Sequence, residues 1–143
     1  MTGIIVVGVD GSGTARKAAE TARDLAVSLG ATLHVVSAFD SDRTEVFGSG
    51  SDKWIVSDAG NAEKVARSVA DSLRTPSLNV TYAAARGKPA EALVAEATRS
   101  GAQLIVVGNR RMQGLGRVLG SVANSVAHSA PCDVYIAKTD AAD

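Results

Sequence analysis

Five short apolar runs, each separated from the next by a longer stretch of different character, constrain this chain more than any other feature. The first, Ile4–Val9 (IIVVGV), is almost continuously β-branched, the pattern of a strand covered on both faces. Thr32–Ala38, Val80–Ala85, Leu104–Val107 and Asp133–Ala137 are read as the other four strands. Between the first two runs, Ala15, Ala18, Ala19, Ala22, Leu25, Ala26 and Leu29 recur at spacings of three and four. That spacing predicts one helical face, capped by Ser12 or Thr14 and closed at Gly30. A second helix is predicted through Ala62, Val65, Ala66, Val69, Ala70 and Leu73. A third starts at Gly87-Lys88-Pro89, with Pro89 in its first turn. A fourth opens at Gly120-Ser121 and carries Val122 and Val126. Phe39 to about Val56 has no clear period and reads as a long loop, of a kind that often serves a site. Trp54 is expected to anchor that loop on the core.

Strands alternating with helices imply right-handed crossovers and a parallel sheet. The predicted fold class is therefore α/β: a single doubly wound five-stranded parallel sheet with helices on both faces, residues 1–143 forming one domain. In such a sheet, ligands bind outside the carboxyl ends of the strands, where the strand order reverses. The loops after the first and fourth runs acquire their interest from that rule.

Composition removes several function classes. Fifteen Lys and Arg balance fifteen Asp and Glu, and aromatic residues make up 3% of the chain. A nucleic-acid partner is not expected, because the basic excess and the stacking platforms it needs are missing. No apolar run approaches ~18 residues, so no membrane span is expected. The start, MTGIIVVGVDG, lacks the basic region of a secretory signal. Cys132 is the only cysteine, which rules out an intrachain disulfide and fits a reducing, cytoplasmic setting.

Familiar catalytic motifs fail on their spacing. Gly87-Lys88-Pro89 lacks the first glycine and the hydroxyl of a Walker loop, and no dinucleotide fingerprint follows the first run. His34 and His128 have no cysteine or histidine neighbour to build zinc ligation, and His34 reads as a satisfied interior residue. Cys132 reads as a small buried hydrophobe rather than a nucleophile. Ser121 lacks both glycines of a nucleophile elbow. Asp10 sits where a phosphoacceptor receiver domain carries an acid, but the third run ends in Ala83, Ala84 and Ala85, not in aspartate. No catalytic residue, metal ligand set or enzymatic activity is expected.

What remains is a pair of converging loops, Gly8-Val9-Asp10-Gly11-Ser12 and Gly108 through Ser121. Glycines permit close backbone approach, and a helix N-terminus offers free N–H groups to phosphate. Arg110, Arg111 and Arg117 add cations, while Asp10 can accept a hydrogen bond from a sugar or base. On spacing alone this is either a nucleotide crevice or two plain glycine turns beside a solvated cationic face.

The residues IIVVGVDGS, GKPAEALVAEA and AQLIVVGN…LGSVANSVAHSAPCDVYIAKT resemble the universal stress protein family over almost the whole chain. The resemblance implies a Rossmann-like fold of the adenine nucleotide alpha hydrolase type and a stress-response regulatory role. It implies a bound adenine nucleotide (ATP, AMP or cyclic AMP), with Mg²⁺ accompanying a triphosphate. Carried over, Gly8 and Asp10 border the adenosine, and Ala38 faces adenine through its backbone. Gly108, Asn109 and Arg110 lie along ribose and phosphates, and Gly120, Ser121 and Val122 supply phosphate contacts. The family's signature is G-x2-G-x9-G-[ST]. Here Arg111 stands at the second glycine, and eight residues rather than nine precede Gly120. The guanidinium of Arg111 either blocks the phosphate path or binds phosphate itself. The resemblance also implies a homodimer through the last strand, at Val134, Tyr135 and Ile136. A nucleotide-free homodimeric interaction module of the same fold is the alternative.

Overall fold

Each of the five apolar runs becomes a strand of one parallel sheet, and the three central runs, from Ile4, Thr32 and Leu104, are buried along their middles as their apolar character implies. The computed structural model describes residues 3–40, 44–47, 54–109 and 120–139, with 44–47 and 54–57 described by their backbone. The order is β1 (Ile4–Gly8), α1 (Gly13–Leu29), β2 (Thr32–Phe39), β3 (Thr44–Phe47), β4 (Trp54–Ser57), α2 (Asp58–Leu73), β5 (Val80–Arg86), α3 (Pro89–Ser100), β6 (Leu104–Asn109), α4 (Ser121–Ser129) and β7 (Asp133–Lys138). The sheet runs β5-β2-β1-β6-β7 with every pairing parallel.

Alternation along each strand divides the core in two. Ile5, Val7, Leu33, Val35 and Val106 face α1 and α2. Val6, Val36, Ile105 and Val107 face α3 and α4. The helices meet the sheet through small side chains: Ala18, Ala19, Ala22 and Ala26 on α1, and Ala66 and Ala70 on α2. Ser12 caps α1, its Oγ accepting from the N–H of Ala15 at 3.1 Å. Gly30 and Gly101 end α1 and α3 at φ 67°, a left-handed turn that glycine adopts without cost.

The reading of Phe39–Val56 as one long loop is corrected. It contains β3 and β4, which pair antiparallel from Thr44↔Ser57 to Phe47↔Trp54. Four-residue strands are too short to display a period against their polar, glycine-containing surroundings. The anchoring role expected of the Trp54 side chain falls outside the described residues. Smaller differences lie at strand ends: β1 stops at Gly8, while β6 continues through Asn109.

On the α3 face, one polar cluster interrupts the apolar packing. His34 is 8% exposed, with Nδ1 2.6 Å from Thr81 Oγ1 and Nε2 2.8 Å from Glu96 Oε2. Arg99 donates to both oxygens of Glu96, at 2.8 and 2.7 Å. His34 is thus the satisfied interior residue the sequence suggests. Those Arg99 bonds, aided by the one from His34 and opposed by burial, hold the Glu96 carboxyl down at about 2. Cys132 is half-buried against the α3–α4 core rather than fully enclosed. Burial and then the neighbouring Asp133 push its thiol up, which disfavours the nucleophilic thiolate.

Candidate functional site

The chain leaves β1 toward β2 and β5, but leaves β6 in the opposite direction toward β7. The connections after β1 and β6 therefore splay apart, and a crevice opens between them at the carboxyl ends of the strands. Its volume is about 370 Å³, within the range of small-molecule sites.

Each wall has a local cause. On the β1 side, Asp10 Oδ1 accepts from the N–H of Ser12 at 2.9 Å, turning the chain into α1. Ser12 Oγ lies 3.1 Å from Thr14 Oγ1, so the first turn of α1 presents hydroxyls to the crevice. On the β2 side, the N–H of Val9 donates to Val36 O at 2.8 Å. Ala38, two residues on, turns its own N–H and C=O to the same side, where β1 has already ended. Pro89 and Leu93 of α3 form an apolar flank.

The β6 side is the most constructed. A Cβ on Gly108 would stand 3.1 Å from Thr139 Oγ1 and 3.3 Å from the Ala18 methyl, so glycine is what lets these elements close up. Asn109 is 4% exposed, and its Oδ1 accepts from the N–H of Gly120 at 2.9 Å. This bond joins the end of β6 to the start of α4 across residues 110–119. Gly120 stands at the N-cap of α4 without a side-chain cap, and the first intrahelical bond runs from Asn124 N–H to Gly120 O. The N–H groups of Ser121, Val122 and Ala123 therefore precede the helical ladder and offer positive potential to the crevice.

Of the residues singled out in the sequence, Gly8, Asp10, Ala38, Gly108, Asn109, Gly120, Ser121 and Val122 all line this one crevice. Arg110, Arg111 and Arg117 fall outside the described residues. Asn109 has a structural part besides, since its Oδ1 holds the start of α4 in place. Ser12, in the first of the two converging loops, lines the crevice too, while sequence reasoning missed Thr14, although its capping role pointed there, and Pro89 and Leu93. It also missed Thr139, for which no sequence signal exists. Among the described residues, no three His, Cys, Asp or Glu side chains gather as metal ligands, and no helix is long and apolar enough to cross a membrane.

Comparison with known proteins places this geometry. Residues 1–138 match the model of the Universal stress protein family. A universal stress protein of Mycobacterium tuberculosis is 34% identical over 135 residues, covering 94% of this chain and 45% of that protein. The chain thus spans less than half the length of the mycobacterial relatives it matches. A universal stress protein of Thermus aquaticus is 30% identical over 94% of this chain and 97% of its own length. Among solved structures, a universal stress protein in complex with cAMP is 27% identical, with a TM-score of 0.73 over 96% of this chain and 97% of that one.

Proposed function

The chain belongs to the universal stress protein family, and from that premise we propose that its crevice holds an adenine nucleotide whose occupancy regulates a stress response. The observation that carries this reading is the convergence of the β1 and β6 loops with the open N-terminus of α4 around one cavity. The similarity to a universal stress protein seen with cAMP supports it. Glycines at 8, 108 and 120 keep side chains out of the cavity, and the N–H groups of α4 suit a phosphate. The backbone of Ala38 suits the edge of a base. AMP, cyclic AMP and ATP all fit this chemistry; Arg111 would pair with phosphate where relatives carry glycine, and Mg²⁺ would accompany a triphosphate.

The role is binding rather than catalysis. Asp10 is the one acid among the described lining residues, and its Oδ1 is already engaged by Ser12. Phosphoryl transfer needs a positioned base and metal-holding acids, which this arrangement does not offer. A cytoplasmic location is part of the same reading and fits a lone cysteine.

Calorimetric titration of nucleotide-stripped protein with ATP, AMP and cyclic AMP, with and without Mg²⁺, tests the proposal. Saturable heat with at least one nucleotide is expected, with a rise in unfolding midpoint at excess ligand. Absence of both with every nucleotide would favour the nucleotide-free interaction module, which the Arg111 replacement and the shortened loop motivate.

Homodimerisation through β7 completes the proposed reading. This strand is an edge of the sheet, with Tyr135 45% exposed. The N–H of Thr139 faces β6, so alternation turns Tyr135 inward to β6, and Val134 and Ile136 present their backbone groups at the free edge. A proline at 135 would therefore break the sheet itself. Tyr135→Lys is the cleaner probe, because charge blunts an edge and opposes its own copy. Sedimentation should shift from dimer to monomer; an unchanged dimer would refute this interface.

A further inference from the structure

Thr139 follows the last strand and has no counterpart in the nucleotide signature, yet the fold carries it into the crevice. Pairing of Asn109 with Lys138 brings the chain past the end of β6, and the N–H of Thr139 donates to Asn109 O at 3.4 Å. The residue is 2% exposed and lines the same cavity as Gly120 and Ser121. Its hydroxyl and methyl lie 3.1 and 3.2 Å from where a Cβ on Gly108 would stand, so it occupies space that only glycine at 108 leaves.

Among the described residues, Thr139 Oγ1 is the buried side-chain polar atom with no hydrogen-bond partner. A hydroxyl removed from water without a partner destabilises the fold, and native chains rarely carry one without a reason. No acceptor among the described residues reaches this hydroxyl, and a ligand oxygen in the crevice would supply one. An anion seated against the first-turn N–H groups of α4 would bring such an acceptor into this part of the crevice.

We propose that the Thr139 hydroxyl donates a hydrogen bond to a phosphate oxygen of the bound nucleotide, an assignment that rests on the adenine-nucleotide reading of the site. A hydroxyl donating to an anionic oxygen makes a short, charge-assisted bond. The side chain is a phosphate-sensing element whose hydroxyl finds its acceptor on binding.

Thr139→Val, Thr139→Ala and Thr139→Ser, titrated with AMP and with adenosine, test this. Thr139→Val keeps the shape and removes the hydroxyl. It should lower AMP affinity by ~10-fold or more, leave adenosine affinity within ~2-fold of wild type, and raise the unfolding midpoint of ligand-free protein. Thr139→Ala should repeat the selective loss of AMP affinity, and Thr139→Ser should retain AMP binding. Equal AMP affinity in wild type and Thr139→Val would overturn the proposal while leaving the nucleotide site standing. So would a parallel loss of adenosine binding, which would move the hydroxyl to the nucleoside. Wild-type protein that binds neither ligand would overturn the nucleotide reading and this inference with it.

Discussion

Gly120→Val is expected to lower adenine-nucleotide affinity by at least ~100-fold while moving the unfolding midpoint by only ~3 °C. Gly120 has φ −64° and ψ 163°, a conformation open to any residue, so valine introduces no backbone strain. Its role as N-cap involves no side-chain bond, and the exchange costs the helix about 1 kcal/mol. The damage falls on the ligand. A Cβ at 120 would stand 3.2 Å from Asn109 Oδ1, and the side chain of valine adds bulk at a residue that lines the crevice. The added bulk crowds the amide that positions α4, next to the first-turn N–H groups. Calorimetry alongside thermal unfolding checks both halves; affinity retained near the wild-type value would place the phosphate elsewhere. The same change at Gly108 would be less informative, because there the added atoms meet Thr139 and Ala18 and disturb the fold itself.

Glu96→Ala, outside the crevice, should destabilise the fold by about 3 kcal/mol, or roughly 10 °C in midpoint. Glu96 is 8% exposed and is the common acceptor for His34 and Arg99. Removing it strands the imidazole Nε2 in a site closed to water. Arg99 is largely exposed and can return to solvent, so the loss falls mainly on His34. The pH dependence has a definite sign. A carboxyl held near 2 in the folded chain, against 4.5 ordinarily, contributes its stability fully above pH 4.5 and loses it as pH falls toward 2. Wild-type protein should therefore lose midpoint between pH 5 and about 2 more steeply than Glu96→Gln. Parallel curves for the two would show that the Glu96 charge contributes nothing to the folded state.

The architecture was legible because burial on both faces leaves a plain mark: runs such as IIVVGV and LIVV have no polar face to conceal. The helices were legible for the complementary reason, since α1 touches the sheet through alanines at regular spacing. β3 and β4 were not, because four residues hold too few alternations to stand out. In the site, glycines at loop ends announced a backbone approach, and the residues expected there do converge where they are described. What side chains do with one another stayed hidden. Nothing in the sequence says that the amide of Asn109 is spent on Gly120, or that Thr139 is drawn under Gly108. The first depends on how α4 returns to the end of β6 and the second on the register between β6 and β7, both tertiary facts.

The position of β1 at the centre of the sheet has a consequence for how the molecule assembles. On one flank β1 joins β2 after a single helix, a near neighbour along the chain. On the other it joins β6, in pairs as distant in sequence as Val6 and Ile105. Pairings that close so long a loop are entropically slow, so the β1–β6 contact is expected to form late, the two flanks meeting along a seam. The crevice lies astride that seam, with Asp10 and Ala38 on the early flank and Asn109 and Ser121 on the late one. A ligand held there cross-links two halves that the chain itself joins last, and its binding energy adds to the contact that holds them together.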